Sequence, residues 1–148
     1  MKAFDDWLNS MTMYRLVLYA LGVLAGATLL FSALGTLNFG FFTLLGSLVL
    51  VTGLCFLTNI LLAKLYHLPV NQESSIITGL ILYFIVVPPF DRAGWLALVV
   101  AAVTSIASKY LITWRRASIL NPAAAGALVI SLTKLGSAGW WIANKPML

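Results

Sequence analysis

Residues 74–89 read Ser-Ser-Ile-Ile-Thr-Gly-Leu-Ile-Leu-Tyr-Phe-Ile-Val-Val-Pro-Pro. The run begins polar, becomes as apolar as a membrane helix, and stops at two prolines. From Ser74 to Val87 it offers about 14 residues, whereas a helix crossing a bilayer at 1.5 Å per residue needs about 20. Proline cannot continue a helix, and it biases the residue before it toward extended backbone. A short, polar-tipped, proline-ended segment is the pattern of a broken helix. Such breaks persist in lipid only where the freed backbone faces protein, water or a ligand. The segment therefore points to a binding site inside a membrane bundle.

The composition makes the membrane reading the one that fits. Of the 148 residues 61% are hydrophobic and 9% are charged, and the mean hydropathy is +1.00. A soluble domain carries about 25% charged residues. The net charge of +5 is not a nucleic-acid signature, because the basic residues are scattered over helix ends and loops with no stripe of basic and stacking residues. The expectation is a lipid bilayer as partner and no nucleic acid. Cys55 is alone, so it forms no intrachain disulfide, and no metal-ligand spacing surrounds it. It reads as a small hydrophobe. The first ten residues are polar and acidic rather than basic, so the first apolar run reads as a retained span and not as a cleaved signal.

The predicted organisation is an all-α polytopic membrane protein with about five transmembrane segments. Residues 1–12 form a short amphipathic stretch on the cytoplasmic surface, with Trp7 on it. Residues 13–148 form the transmembrane domain, with spans at about 13–34, 41–63, 74–87, 93–112 and 122–135. Gly22 and Gly26 make a small-xxx-small pair that permits close helix contact. If the N-terminus is cytoplasmic, the inside holds Lys2, Arg15, Lys64, Lys109, Arg115 and Arg116, and the outside holds Arg92, Lys134 and Lys145. Six against three favours a cytoplasmic N-terminus in a bacterial-type inner membrane.

Segments 74–87 and 122–135 form a pair of short helices with polar starts. Asn121-Pro122 reads as an N-cap followed by proline at the first helical position. Ser74 or Ser75 could cap the other helix in the same way. Both starts would present unpaired N–H groups and a positive dipole end, which suits an anionic group. The plainer reading is that of two ordinary capped helix starts at the membrane surface.

Three blocks carry a resemblance. They are Glu73-Ser-Ser-Ile-Ile-Thr-Gly-Leu-Ile-Leu with its proline-ended helix, Ala107-Ser-Lys-Tyr-Leu, and Ile119-Leu-Asn-Pro-Ala-Ala-Ala-Gly. In order and spacing they resemble the NqrB/RnfD family, membrane subunits of sodium-pumping quinone reductase and Rnf electron-transport complexes. Ser74 stands where that family usually has Gly, Tyr110 where it has His, and Leu120 where it has Phe. The match covers about residues 73–132. The resemblance implies a flavin-dependent electron-transfer module, possessing one five-span half of a ten-span, urea-transporter-like fold. The family attaches FMN to a threonine in an Asp-Gly-Ala-Thr-type motif of its second half. This sequence has no such motif, so the expected cofactor is a non-covalent flavin (FMN, riboflavin or FAD). The chain is expected to be truncated at its C-terminus, for example from a fusion with a soluble reductase domain. Expected partners are a second copy or a redox subunit.

With the resemblance in place, the candidate cofactor-binding residues are Ser74, Ser75, Thr78, Gly79, Lys109 and Asn121. Serine and threonine hydroxyls could bond a flavin ring, ribityl chain or phosphate, or could fold back on their own helix. Lys109 could neutralise a reduced ring or a phosphate, or could snorkel to the interface. Arg115 and Arg116 read as topology anchors. Glu73 reads as a helix-start charge. His67 is a lone histidine, too little for a transmembrane haem. Trp95, Trp114, Trp140, Trp141 and Tyr110 read as interfacial belt residues. No acid, base or nucleophile constellation stands out, as suits a protein whose cofactor carries the chemistry. The other readings are a channel or transporter for a small polar solute and a structural membrane subunit.

Overall fold

The computed structural model describes residues 12–114, 117–118 and 120–141. Five helices lie among them: α1 Met13–Ala33, α2 Phe41–Leu65, α3 Gln72–Ile85, α4 Arg92–Leu111 and α5 Pro122–Thr133. Three of these, α1, α2 and α4, are long and apolar enough to cross a membrane. The amphipathic stretch expected before residue 12, and Arg115 and Arg116, lie outside the described residues.

Local chemistry sets most of the boundaries. Asp91 Oδ1 accepts from the Gly94 N–H at 2.8 Å and starts α4. Asn121 Oδ1 accepts from the Ala123 N–H at 3.1 Å, with Pro122 in the first turn of α5. At the end of α2 the Leu68 N–H reaches the Ala63 carbonyl and the His67 N–H reaches that of Lys64. His67 takes a φ of 52° there, the left-handed residue of a helix C-cap. Lys134 plays the same part after α5, with φ 55°. A two-residue antiparallel pairing, Thr113–Trp114 with Ala117–Ser118, lies in the α4–α5 connection.

The helices alternate in direction. Arg15 on the first turn of α1 pairs with Glu73 at the start of α3, and Lys109 near the end of α4 meets Ser74. These groups define one end of the bundle, which also holds the C-terminus of α2. The other end holds the α1–α2 and α3–α4 connections, where Phe39 packs on Phe90 at 5.2 Å between ring centres. Trp95, on the first turn of α4, lies over Gly46 on the second turn of α2.

Helix α3 rises only about 21 Å over its 14 residues, and α5 only about 18 Å over 12. The chain continues extended from each. Val86 bridges Ala138, the Val87 N–H donates to the Ser137 carbonyl at 3.3 Å, and the Gly139 N–H donates to the Ile85 carbonyl at 2.8 Å. The residues after the two short helices therefore supply backbone partners to each other. Val86 to Pro89 then carries the chain to the start of α4.

The core has two parts. One joins α2, α4 and α5 around Val51, Cys55, Leu98, Ala102, Ile106 and Ile130. The other joins α1, α2 and α3 around Ala25, Leu44, Leu80, Tyr83, Phe84 and Trp141. Close approach is built with small residues. A Cβ on Gly126 would stand 2.5 Å from the Ala101 carbonyl oxygen and closer still to Ser105 Oγ. One on Gly79 would stand 2.8 Å from the Thr52 Cα. Gly22 and Gly26 have open space beyond them, so the small-xxx-small pair expected to pack helices touches none among the described residues.

Candidate functional site

The polar end of the bundle is assembled by α2, α3 and α4 around the start of α3. Asn71 provides the N-cap, its Oδ1 accepting from the Ser74 N–H at 3.1 Å. The expectation that Ser74 or Ser75 caps this helix is corrected. The helix starts two residues before Ser74, and the local cap residue is the asparagine at the end of the loop.

Asn71 is itself held. Asn59 of α2, fully buried, donates from Nδ2 to the Asn71 carbonyl at 3.2 Å. Its Oδ1 accepts from the Tyr110 hydroxyl at 2.8 Å, and the Tyr110 ring stacks on Tyr66 at 6.0 Å. Tyr110, expected among the belt aromatics, is thus also a hydrogen-bonding strut between α4 and α2. Asn59 did not stand out in the sequence. Its signal was present, an amide set in the apolar run Leu57-Thr-Asn-Ile-Leu, because a polar group inside a span commonly bonds across helices.

Around this frame the six candidate residues fall into separate roles. Ser74 Oγ accepts from Lys109 Nζ at 3.0 Å. Ser75 is fully buried and donates to the Gln72 carbonyl at 2.8 Å, and Thr78 donates to the Ser74 carbonyl at 2.8 Å. Gly79 lies against the Thr52 backbone. The Asn121 side-chain oxygen caps its own helix. The structure brings Ser74 and Lys109 into contact, places Ser75, Thr78 and Gly79 on the packed side of α3, and puts Asn121 at the start of α5. A surface concavity is lined by Pro69, Val70, Asn71, Gln72 and Glu73, and neither Ser74 nor Lys109 is among its lining residues.

Glu73 pairs with Arg15 at 3.0 Å between half-exposed side chains. Lys109 has no carboxylate partner among the described residues. No group of three histidine, cysteine or acidic side chains stands close enough among them to hold a metal ion.

Among the described residues two polar atoms elsewhere are buried without a partner, the Tyr83 hydroxyl and Ser105 Oγ. Tyr83 sits beside Trp141, whose indole N–H donates to the Tyr83 carbonyl at 2.8 Å while its ring meets Phe39 edge-on. Trp141 is 5% exposed, so its assignment to the interfacial belt is corrected. It is a core residue, pulled in by a carbonyl at the end of α3. Trp140 remains exposed.

No protein-family model, no curated protein and no solved structure matches the chain.

Proposed function

We propose that this chain is a flavin-linked membrane module of the NqrB/RnfD type, passing electrons within or across the bilayer, with coupling to ion transport as part of the proposal. The observation that carries the reading is the contact of Lys109 with Ser74 at the first turn of α3. A lysine without a carboxylate and a hydroxyl, set at the positive end of a helix, form a receptor for an anionic group. The three sequence blocks that carry the family resemblance supply those two residues and Asn121.

The residues fit the anionic end of a flavin better than its ring. Ser74 and Lys109 are the two candidates whose polar side-chain atoms meet, and they would hold a phosphate. Ser75, Thr78 and Gly79 spend their groups and space within the bundle, so their part is to seat α3. Asn121 does the same for α5. A bound flavin would supply the redox chemistry. The protein's share is to place it, with Lys109 lowering the energy of negative charge at that end. The flavin is held without a covalent bond, and its ring is covered by a second copy or by a redox subunit. The end bearing Arg15, Lys64 and Lys109 faces the cytoplasm of a bacterial-type inner membrane.

An absorption spectrum of the detergent-purified chain, taken before and after acid precipitation, tests this. A two-banded flavin spectrum released into the supernatant supports a non-covalent flavin. Colour that stays with the pellet means covalent attachment. A colourless protein that takes up neither FMN, FAD nor riboflavin ends the redox reading.

The paired breaks after α3 and α5 favour one second reading, a channel or transporter for a small polar solute, since broken helices are where such sites are built. Solute flux in liposomes that is indifferent to redox state would select it.

A further inference from the structure

The chain carries four side-chain carboxylates, Asp5, Asp6, Glu73 and Asp91. Two of them have partners. Glu73 pairs with Arg15 at 3.0 Å. Asp91 caps α4 through the Gly94 N–H, at the end of the bundle away from Lys109. Arg15, Lys64 and Lys109 gather at the near end, and among the described residues only Arg15 has an ion pair. Asp5 and Asp6 are the carboxylates left. They stand seven and six residues before Thr12, the N-cap of α1, which starts at that same end.

Lys109 is the cation that most needs a counter-charge. It lies in the last turn of α4, half-buried, with its Nζ donating to Ser74 Oγ at 3.0 Å. A hydroxyl accepts that bond but does not neutralise the charge. Ionisable groups within a span are costly and usually pair, whereas exposed Lys64 stays solvated. The segment before α1 has the reach. Arg15 touches Glu73, and Ser74 next to it touches Lys109. Six residues of chain extend to about 20 Å, or rise about 9 Å as a helix. Phe4, Trp7, Leu8 and Met11 recur at the spacing of one helix face, and Asp5 and Asp6 fall off that face. Such a pattern favours the headgroup layer, where anionic lipid drives carboxylates toward the nearest cations.

We propose that the segment preceding α1 folds back over the start of α3 and sets Asp5 and Asp6 against Lys109, as a built-in counter-ion that covers the anion receptor. Charge complementarity selects this occupant, since no other side-chain carboxylate of the chain is free at this end. An incoming phosphate then has to displace the two aspartates, so the segment competes with the ligand for Lys109. That competition rests on the proposed function. The docking itself rests only on the Lys109–Ser74 contact and the distribution of charge, and does not depend on the flavin.

Cysteine cross-linking of the full chain in membranes tests the docking, because the one native thiol, Cys55, is buried. Asn9→Cys stands about one helical turn from Asp6 and leaves both carboxylates in place. Gln72→Cys stands on the exposed first turn of α3, beside Glu73 and Ser74. Mild oxidation of this double variant should give an internal disulfide as the main species, seen as a shifted monomer on a non-reducing gel. Asn9→Cys with Phe90→Cys, at the other end of the bundle, should give none. Asp5→Asn with Asp6→Asn in the first background should cut the yield severalfold, and Lys109→Gln should do the same, since each removes one side of the pairing. The proposal falls if the first double variant forms no disulfide while a maleimide labels both thiols, or if the disulfide joins two chains. It falls equally if neutralising the two aspartates or Lys109 leaves the yield unchanged. None of these outcomes needs a cofactor, so a colourless protein would end the redox reading and leave the docking standing.

Discussion

Gly126 and Gly22 have the same side chain and opposite surroundings. A methyl at Gly126 runs into the Ala101 carbonyl and Ser105 Oγ, while one at Gly22 meets nothing. Gly126→Ala should lower stability by about 1–3 kcal/mol through overpacking. Gly22→Ala should be neutral, or stabilise by up to about 1 kcal/mol, since alanine is the better helix former. Thermal unfolding in detergent separates the two, and equal effects would show that α4 and α5 do not pack as described. Asn59 makes the second argument at this scale. Asn59→Ala removes the bonds to the Asn71 carbonyl and from the Tyr110 hydroxyl, which keeps only the Asn59 backbone carbonyl at 3.3 Å, at a cost of about 0.5–1.5 kcal/mol for each bond lost. Combined with Tyr110→Phe it should cost less than the sum of the two single changes, because they break one shared bond. The Asn121 cap was legible in the sequence because an asparagine before a proline acts on its own first turn. The roles of Asn59 and Trp141 were not, since they depend on which carbonyl of another element comes within reach.

Helices α3 and α5 show how far the pattern of a single element can be read. Their shortness and their proline or asparagine boundaries follow from local rules, and the structure starts and ends them within two residues of the expected limits. What replaces the missing length was not legible. The extended residues Val86 and Ala138 find each other across 52 positions of sequence, and no local propensity encodes that pairing. It hangs on few bonds and is correspondingly easy to test. Gly139→Pro removes the N–H that serves the Ile85 carbonyl, leaving an acceptor unpaired in apolar surroundings at a cost of about 1–3 kcal/mol. Gly139→Ala keeps that N–H and finds open space for its methyl. Proline should therefore destabilise the folded chain in a detergent melt by clearly more than alanine does. If the two melt alike, the pairing contributes nothing and the short helices are held by side-chain packing alone.

At the scale of the molecule the open question is how the bundle lies in its membrane, and the charges argue for one answer. Arg15, Lys64 and Lys109 gather at the end where α3 starts, and Arg92 lies at the other. Loops rich in lysine and arginine stay on the cytoplasmic side. If α3 with its extended continuation crosses completely, the α2–α3 and α3–α4 connections face opposite compartments. If α3 only dips in and returns, they face the same one. Leu68 and Phe90 stand in those two connections, 52% and 80% exposed, and each accepts a cysteine without disturbing the buried core. An impermeant maleimide should label Leu68→Cys only from the cytoplasmic face and Phe90→Cys only from the other. Labelling of both from one face would make α3 re-entrant, and a reversed pattern would invert the orientation. The first pattern is expected because α3, rising about 21 Å, leaves about 9 Å of a hydrocarbon core about 30 Å thick, and three extended residues at about 3.3 Å each supply that length.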